Sequence, residues 1–206
     1  GNRLWMSAMG FAANVTVVTR WSDDDGETWP AANKTVVPEA SEADVAYVDP
    51  NMACNGNDVW ILYGNSPDPL VQEDTQLLTK IRLAHSGDGG KTIDWRKDVH
   101  DTTAGRRYVL PEMVREPGGA IDLVYYAGTQ AEQPGTFRRA RSSDQGQSFA
   151  PSVAIDDPIV FTGKRAELRW LGDYVGLTYA GGKLSTSFAH NNVARSRVYY
   201  HGATVP

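Results

Sequence analysis

SDDDGETW at residues 22–29 is the first of three copies of one short motif. The second copy is SGDGGKT at residues 86–92, and the third is SSDQGQSF at residues 142–149. All three fit the pattern Ser-x-Asp-x-Gly-x-Thr/Ser. They recur at intervals of roughly 60 residues, a period typical of proteins built from an array of equivalent units. The repetition therefore indicates a repeat architecture before any single residue is considered.

Each motif has the composition of a tight turn. Its aspartate, Asp24 in the first copy, can accept hydrogen bonds from backbone N–H groups two or three residues further on. The glycine that follows two residues later allows a positive φ at little steric cost. Aromatic residues end the first and third copies, Trp29 and Phe149, and Trp95 follows the second. We therefore interpret the three aspartates as turn residues rather than as catalytic or calcium-binding groups.

The segments between the motifs predict short strands. A turn rich in glycine or asparagine precedes an apolar run at residues 4–6, 59–63, 121–126 and 184–188. An alternating segment follows, then the motif, and then a short fourth strand such as residues 35–37 or 152–155. Short strands separated by turn signals, without helical periodicity, predict an all-β fold. Repeated four-stranded antiparallel units predict the blades of a β-propeller.

The number of strands predicts incomplete units at both ends. The two middle units, near Pro50–Val99 and Leu110–Ile155, have four strands each. The first unit begins at its second strand and the last stops after its third, which gives fourteen strands and about four blades. Two interpretations stay open. Residues 1–206 form the C-terminal part of a six-bladed propeller whose N-terminal part is missing, which the start in mid-blade favours, or they close as a four-bladed ring. In either case they form a single propeller domain or part of one.

The motif resembles the Asp box of the bacterial neuraminidase repeats, which are found in sialidases and many related secreted β-propellers. The resemblance covers nearly the whole chain. In that family the Asp box is a hairpin turn on the outer rim of each blade, away from the substrate pocket. The resemblance therefore implies a secreted or cell-surface protein whose functional loops lie on the opposite face. Those loops are expected at residues 38–49, 65–76, 100–110, 128–136, 156–172 and 190–196.

The resemblance also implies candidate catalytic residues. Sialidases use a tyrosine nucleophile activated by a glutamate, together with an aspartate acid/base. The segment PEMVRE at residues 111–116, followed by two glycines, resembles the blade that carries the activating glutamate, so Glu112 is its candidate. Tyr199 and Tyr200 on the last strand are candidate nucleophiles.

Candidate ligand-binding residues follow from the same comparison. Sialidases bind the substrate carboxylate with three arginines, because planar guanidinium groups suit carboxylates. Arg107 and Arg169 are candidates for that role. The segment WLGDYVGL at residues 170–177 resembles a Gly-Asp-Tyr-x-Gly segment that opens the last blade in non-catalytic or uncharacterised members, and there Asp173 and Tyr174 are candidates to line the funnel. The family's N-terminal Arg-Ile-Pro-type motif is absent. Residues 125–127 read Tyr-Tyr-Ala where the family has an arginine.

Composition excludes several classes of partner. The net charge of −5, without a dominant basic patch, argues against nucleic acid. No apolar run approaches membrane-spanning length, so we expect no membrane insertion. The four histidines are scattered and no cluster has metal-ligand spacing, so neither a metal nor a cofactor is expected. Cys54 is the only cysteine, which excludes an internal disulfide, and its apolar neighbourhood predicts a core position.

Three hypotheses for function remain. The first is a secreted or surface propeller that binds glycans or surface polymers through its funnel face. The second is a glycoside hydrolase of exo-sialidase type, whose first arginine and acid/base aspartate lie in a missing N-terminal part of the same propeller. The third is a structural or protein-docking propeller. Fold alone does not choose among them.

Overall fold

The computed structural model describes residues 3–11, 15–38, 50–65, 80–99, 106–129, 135–156, 175–192 and 195–204. These residues contain fourteen β-strands and no helix, as the all-β prediction requires. The strands are β1 (Leu4–Phe11), β2 (Val15–Ser22), β3 (Lys34–Val36), β4 (Asn51–Asn55), β5 (Asp58–Asn65), β6 (Lys80–Ser86), β7 (Trp95–Asp98), β8 (Arg106–Arg115), β9 (Ile121–Thr129), β10 (Thr136–Ser142), β11 (Val153–Ala154), β12 (Gly176–Ala180), β13 (Lys183–Asn192) and β14 (Arg195–Thr204).

The strands form four antiparallel sheets, in which each strand pairs with the next one along the chain. The two middle sheets have four strands each, β4-β5-β6-β7 and β8-β9-β10-β11. The first sheet is β1-β2-β3 and the last is β12-β13-β14. A copy of the motif follows β2, just as copies follow the third strands β6 and β10, so β1 corresponds to a second strand. The predicted pattern of two complete and two three-stranded units is confirmed.

The sheets are arranged as the blades of a propeller. The first strands of successive sheets lie together, since β4 packs against β8 and β8 packs against β12. Strand β1 of the first sheet also packs against β4. The first strands therefore lie innermost and the later strands lie further out, as in a propeller. Closure between the last sheet and the first is not seen among the described strands, which form an open arc. The assignment of residues 1–206 to one domain stays a prediction.

Apolar residues fill the spaces between neighbouring blades. The second strand of each complete blade lies between two of these spaces, so it is buried on both faces. In β5, Ile61 and Tyr63 pack with the first sheet, whereas Trp60 and Leu62 pack with the third. Strand β9 alternates in the same way between the second sheet and the last. Side chains of a strand alternate between its two faces. Burial of both faces therefore explains why these strands read as continuous apolar runs.

The three motifs form the same turn between the last two strands of each of the first three sheets. We call them Asp turns 1 (22–29), 2 (86–92) and 3 (142–149). In Asp turn 3, Oδ1 of Asp144 accepts hydrogen bonds from the Ser142 hydroxyl (2.7 Å) and the Ser148 N–H (2.8 Å), and Oδ2 accepts from the Ser148 hydroxyl (2.5 Å). The N–H of Gly146 donates to the Ser142 hydroxyl (2.8 Å). The bonds that Asp144 accepts, that from the Ser148 hydroxyl foremost, lower its pKa to about 2. Both carboxylate oxygens are thus engaged by the turn itself.

Two tryptophans join neighbouring blades through these turns. The indole N–H of Trp5 in β1 donates to the carbonyl of Gly89 in Asp turn 2 (3.0 Å). The indole N–H of Trp60 in β5 donates to the carbonyl of Gln145 in Asp turn 3 (2.9 Å). Gly89 and Gln145 are both the fourth residue of their turns, and both have a positive φ. The same position of each turn therefore accepts a bond from the preceding blade.

The equivalent position in the third sheet holds an acid. Asp122 comes directly after the residue that pairs with Ser142, the first serine of Asp turn 3. Trp5 and Trp60 likewise come directly after the residues that pair with the first serines of Asp turns 1 and 2. Its fully buried carboxylate accepts hydrogen bonds from Nε of Arg139 (2.6 Å) and from Arg141 (2.6 Å). Arg141 also binds Glu116 in the β8–β9 turn. An ionic cluster thus replaces the inter-blade indole bond in this blade.

Three details correct the sequence analysis. Strand β8 begins at Arg106 rather than at Leu110, so the segment expected to be a loop up to residue 110 is partly a strand. Strands β13 and β14 extend over most of the loop expected at 190–196 and leave residues 193–194 between them. Cys54 is exposed rather than in the core, because it lies on the two-residue turn side of β4 next to Asn55. Within the described residues, no helix has the length and apolar character needed to cross a bilayer.

Candidate functional site

A β-bulge in β8 shapes the inner wall of the third blade. Leu110 and Pro111 together oppose the single residue Tyr125 of β9, because Val109 pairs with Tyr126 and Glu112 pairs with Val124. Leu110 has a φ of 49°, in the left-handed region that a non-glycine residue rarely adopts. Bulges change the direction of the side chains that follow them and are common beside active sites. In this strand the first residue after the bulge is Glu112.

Proline fits the bulge for a physical reason. Pro111 has no N–H to donate to the sheet, so it is tolerated where the ladder is already interrupted. The bulge adds one residue to β8, and Glu112 therefore pairs with Val124 instead of Leu123, which a regular ladder would place opposite it. Since alternate residues of a strand face opposite sides, this shift reverses the side on which Glu112 would otherwise lie. The local sequence thus decides the placement of the carboxyl group.

Glu112 contacts the inner strand of the preceding blade. The side-chain amide of Asn51, the first residue of β4, donates a hydrogen bond to Oε2 of Glu112 (2.6 Å). Both side chains are half-buried. Asn51 and Glu112 lie on neighbouring innermost strands, so their contact bridges two blades at the inner wall. We call Asn51, Leu110, Pro111 and Glu112 the inner-strand site.

Burial changes the acidity of Glu112. It raises the pKa of this carboxyl from an ordinary value of 4.5 to about 7. The charged form is disfavoured because the carboxyl group has lost much of its hydration. A carboxyl group with a pKa near neutrality can both donate and accept a proton under physiological conditions, as a general acid or base requires. The inner-strand site therefore offers proton-transfer chemistry.

The other candidate catalytic residues lie further out. Tyr199 pairs with Phe188 and Tyr200 pairs with Ser187, which places both in the middle of β14. Strand β14 is the third strand of the last sheet, and β12 is the strand of that sheet that packs against β8. Strands β12 and β13 therefore lie between the two tyrosines and Glu112. Their role as nucleophiles stays a prediction.

The candidate ligand-binding residues are described only in part. Arg107 lies in β8, opposite Gly128, and not in the inter-blade loop expected from the sequence. Arg169, Asp173 and Tyr174 lie outside the described residues. So do most of the loops on the face opposite the Asp turns, which the resemblance singled out as the functional face. The roles of these four residues stay predictions.

Sequence reasoning found Glu112 but missed its partner. Asn51 follows Pro50 at the start of a strand, and nothing in the sequence distinguishes it from other asparagines near turns. The bulge had one visible signal, a proline in the interior of an apparent strand, which is unusual in a central ladder. The contact between β4 and β8 joins residues that are 61 positions apart. Only the packing of the blades reveals it.

Among the residues that the structure describes, no group of three or more histidine, cysteine, aspartate or glutamate side chains could hold a metal ion. The carboxylates of the Asp turns bind hydroxyl and N–H donors of their own turns, as described above.

Solved structures resemble this chain in fold. The K499G mutant of NanB sialidase from Streptococcus pneumoniae superposes with a TM-score of 0.57 at 14% identity, over 94% of this chain and 26% of that one. An α-L-arabinanase from Penicillium chrysogenum, complexed with arabinobiose, gives a TM-score of 0.53 at 16% identity, over 89% of this chain and 56% of that one. The E242A mutant of the α-L-arabinofuranosidase Arb93A from Fusarium graminearum gives a TM-score of 0.55 at 14% identity, over 96% of this chain and 59% of that one.

These likenesses support one conclusion. The fold is a β-propeller. This chain spans between 26% and 59% of the length of the three proteins. Neither a protein-family profile nor a curated protein sequence matches it. The identities are too low for the comparison to carry over a substrate or a mechanism, which must be argued from the residues of this chain.

Proposed function

We propose that this chain is part of a glycan-processing β-propeller of the glycoside hydrolase type, in which Glu112 transfers a proton during cleavage. The observation that carries the proposal is the placement of Glu112 on an innermost strand, directly after a bulge, with a pKa raised to about 7. Perturbed carboxyl groups of this kind concentrate at functional sites. The sequence alone favoured glycan binding, whereas the raised pKa of Glu112 at the inner wall favours hydrolysis.

Glycoside cleavage needs a group of this acidity. In most glycosidases, a carboxylic acid with a raised pKa protonates the leaving oxygen or activates the attacking group. In the sialidase-type version, Glu112 would instead take the proton of a tyrosine nucleophile. Strands β12 and β13 lie between Glu112 and the candidates Tyr199 and Tyr200, so this version requires a tyrosine that lies nearer to Glu112. A tyrosine has an ordinary pKa near 10 and needs such a base to become nucleophilic at neutral pH.

The remaining candidates would bind the substrate. Under the sialidase-type hypothesis, Arg107 and Arg169 would bind the sugar carboxylate, and Asp173 and Tyr174 would line the funnel. A glycan substrate agrees with a chain that has six tryptophans and nine tyrosines, because rings outside the core can stack on sugars, whereas buried ones such as Trp60 and Tyr125 cannot. It also agrees with a secreted or cell-surface location, where glycans are accessible. These assignments rest on the resemblance of the Asp turns.

Turnover of defined substrates tests the proposal. The protein would be assayed with a fluorogenic sialoside and, separately, with a fluorogenic arabinofuranoside, across pH 4–9. The variant Glu112→Gln keeps the size of the side chain but cannot exchange a proton, and we expect kcat to fall by about a hundredfold or more. The matched control is Glu27→Gln, at an exposed position in Asp turn 1, which should leave kcat unchanged.

Two results would contradict the hydrolase proposal. The first is the absence of turnover with both substrates by a protein whose circular dichroism and thermal unfolding show it to be folded. The second is a Glu112→Gln variant as active as the wild type. A pH profile without a limb near pH 7 would also argue against Glu112 as the group that transfers the proton.

One observation favours a second candidate, glycan binding without hydrolysis. Tyr125, Tyr126 and Ala127 occupy the end of β9 where the resemblance leads us to expect an arginine, and all three are buried in the core. This strand therefore supplies no guanidinium group to a sugar carboxylate. Retention on an immobilised glycan, together with an absence of turnover, would support this candidate. Loss of retention in an Asp173→Ala or Tyr174→Ala variant would place the ligand in the funnel.

A further inference from the structure

We infer that Asn51 is a positioning residue for Glu112, and that its amide determines which carboxyl oxygen carries the exchangeable proton. The catalytic consequence rests on the proposed function, whereas the effect on Glu112 itself does not. The inference stands on a single inter-blade contact, the hydrogen bond of 2.6 Å from the Asn51 amide to Oε2 of Glu112.

The backbone holds Asn51 firmly in place. Asn51 begins β4 and pairs with Leu62, a residue of the central core that is 1% exposed. The carbonyl of the preceding residue, Pro50, accepts a hydrogen bond from the Ser7 hydroxyl of the first blade (3.3 Å). Asn51 is therefore held between β1 on one side and β5 on the other. Its amide is presented to β8 from a rigid support, as the positioning of a reactive group requires.

The hydrogen bond makes the two oxygens of Glu112 unequal. An amide N–H can only donate, so the Oε2 atom that it contacts must act as an acceptor. When Glu112 is protonated, its proton therefore resides on Oε1, and Oε1 is the oxygen that exchanges a proton with a substrate or nucleophile. A carboxyl group that rotated freely would divide the proton between both oxygens. The contact thus orients the proton without taking part in the chemistry.

No charge on the neighbouring strands competes with this contact. Strand β8 pairs with β9 and packs against β4, β5, β6 and β12. The titratable side chains of these strands are Cys54 on β4, Asp58 and Tyr63 on β5, Lys80, Arg82 and His85 on β6, Asp122, Tyr125 and Tyr126 on β9, and Tyr179 on β12. The lysine, arginine, histidine and aspartate side chains among them have other partners: Arg82 and Lys80 bind Asp98, the His85 ring contacts Asp58, and Asp122 binds two arginines. Arg115 of β8 lies over the ring of Trp60. Burial, rather than a neighbouring charge, raises the pKa of Glu112.

Two variants test the role of the amide by direct titration of Glu112. Asn51→Asp is isosteric and places a second carboxyl group against Oε2, and two carboxyl groups at this distance cannot both ionise. Asn51→Leu keeps the approximate size but removes the donor, which leaves the Glu112 carboxylate buried without its hydrogen bond. We expect the pKa of Glu112 to rise in both variants, by at least one unit in Asn51→Asp, which is a tenfold change in proton affinity.

The titration uses protein labelled with carbon-13 at the glutamate carboxyl groups and followed by NMR, with Glu112→Gln identifying the signal. The matched control is Asn55→Asp, at the exposed far end of the same strand. Four residues of a strand place it about 13 Å away, beyond the Debye length of about 8–10 Å in ordinary buffer. The control should leave the pKa of Glu112 unchanged.

The outcomes separate this inference from the proposed function. An unchanged Glu112 pKa in folded Asn51→Leu and Asn51→Asp proteins would overturn the positioning role, whatever the activity. If Asn51→Asp fails to fold, Asn51→Leu alone decides, because an apolar residue is tolerated beside Leu62. Raised pKa values in a protein that cleaves no glycoside would support the inference and contradict the hydrolase proposal. In an active protein, the limb of the pH profile that Glu112 controls should move with the measured pKa; this is the alkaline limb if Glu112 acts as an acid and the acidic limb if it acts as a base.

Discussion

Replacement of Trp60 by phenylalanine tests whether the blades are joined through the Asp turns. Trp60 is fully buried, its indole N–H donates to the carbonyl of Gln145 in the next blade (2.9 Å), and its ring lies beneath the Arg115 guanidinium at 5.2 Å. The substitution removes the hydrogen bond between the blades and narrows the ring that fills the space between them.

The expected cost follows from three contributions. Loss of the hydrogen bond should cost about 1–2 kcal/mol, because the carbonyl keeps only partial access to water. The smaller ring should cost about 1–2 kcal/mol through the space it leaves. The weakened cation–π contact adds about 0.5 kcal/mol. We therefore expect the free energy of unfolding to fall by about 2.5–4.5 kcal/mol, and Tm to fall by about 5–18 °C in a chain of this size.

Urea denaturation followed by far-ultraviolet circular dichroism measures the change. The matched control is Trp29→Phe. Its indole N–H also donates to a backbone carbonyl, that of Gly26 (3.1 Å), but within one turn and at a half-exposed position. The control should cost about 0.5–1 kcal/mol because water replaces the lost bond. If Trp60→Phe costs no more than Trp29→Phe, the inter-blade bond does not contribute to stability and our reasoning is wrong.

Three further predictions concern acids in different environments. Asp88→Ala leaves four donors of Asp turn 2 without their acceptor, so urea denaturation should show a loss of about 1–2 kcal/mol. Glycan binding should not change, and a loss of binding at unchanged stability would show that this turn is functional. Asp122→Asn removes the charge that faces two arginines in the core and should cost about 3 kcal/mol, whereas Asp98→Asn, at an exposed ion pair, should cost less than about 1 kcal/mol. Because the pKa of Glu112 is raised in the folded state, the native protein binds more protons than the unfolded chain between pH 4.5 and about 7. The free energy of unfolding of the wild type should therefore fall as the pH rises through this range, by up to about 3 kcal/mol from this group. The Glu112→Gln protein should lack that component of the pH dependence.

The fold could be predicted because its signals are local. The Asp turns carry their own hydrogen-bond partners within seven residues, so Ser142, Asp144 and Ser148 are recognisable together in the sequence. Strands buried on both faces produce unbroken apolar runs, as at residues 59–63 and 121–126. The regular order of turn, run and motif then gives the number of strands in each blade. The strand pairing repeats this order without a crossover.

The exact strand ends and the exposure of individual residues could not be predicted in the same way. Strand β8 begins four residues earlier than the sequence indicates, because pairing of Arg106 and Arg107 with β9 continues beyond the apolar run. Cys54 lies beside apolar residues and is nevertheless exposed, because it lies next to the β4–β5 turn and not in the middle of the strand. Such outcomes depend on which strand lies alongside, which composition does not encode.

The sequence by itself determined the all-β class, the four repeated units, the turn role of the three aspartates and the choice of Glu112 as a candidate. The first three follow from short-range hydrogen bonding and from the alternation of side chains along a strand, whereas the choice of Glu112 follows from the resemblance of residues 111–116 to the sialidase family. Only the tertiary structure decided that Trp60 bonds to the next blade, that Asn51 donates to Glu112, and that a bulge at Leu110 gives this carboxyl group its position. The physical reason is that each of these contacts joins separate strands. The acidity of Glu112, in turn, depends on how much water the assembled blades exclude, which no local pattern specifies.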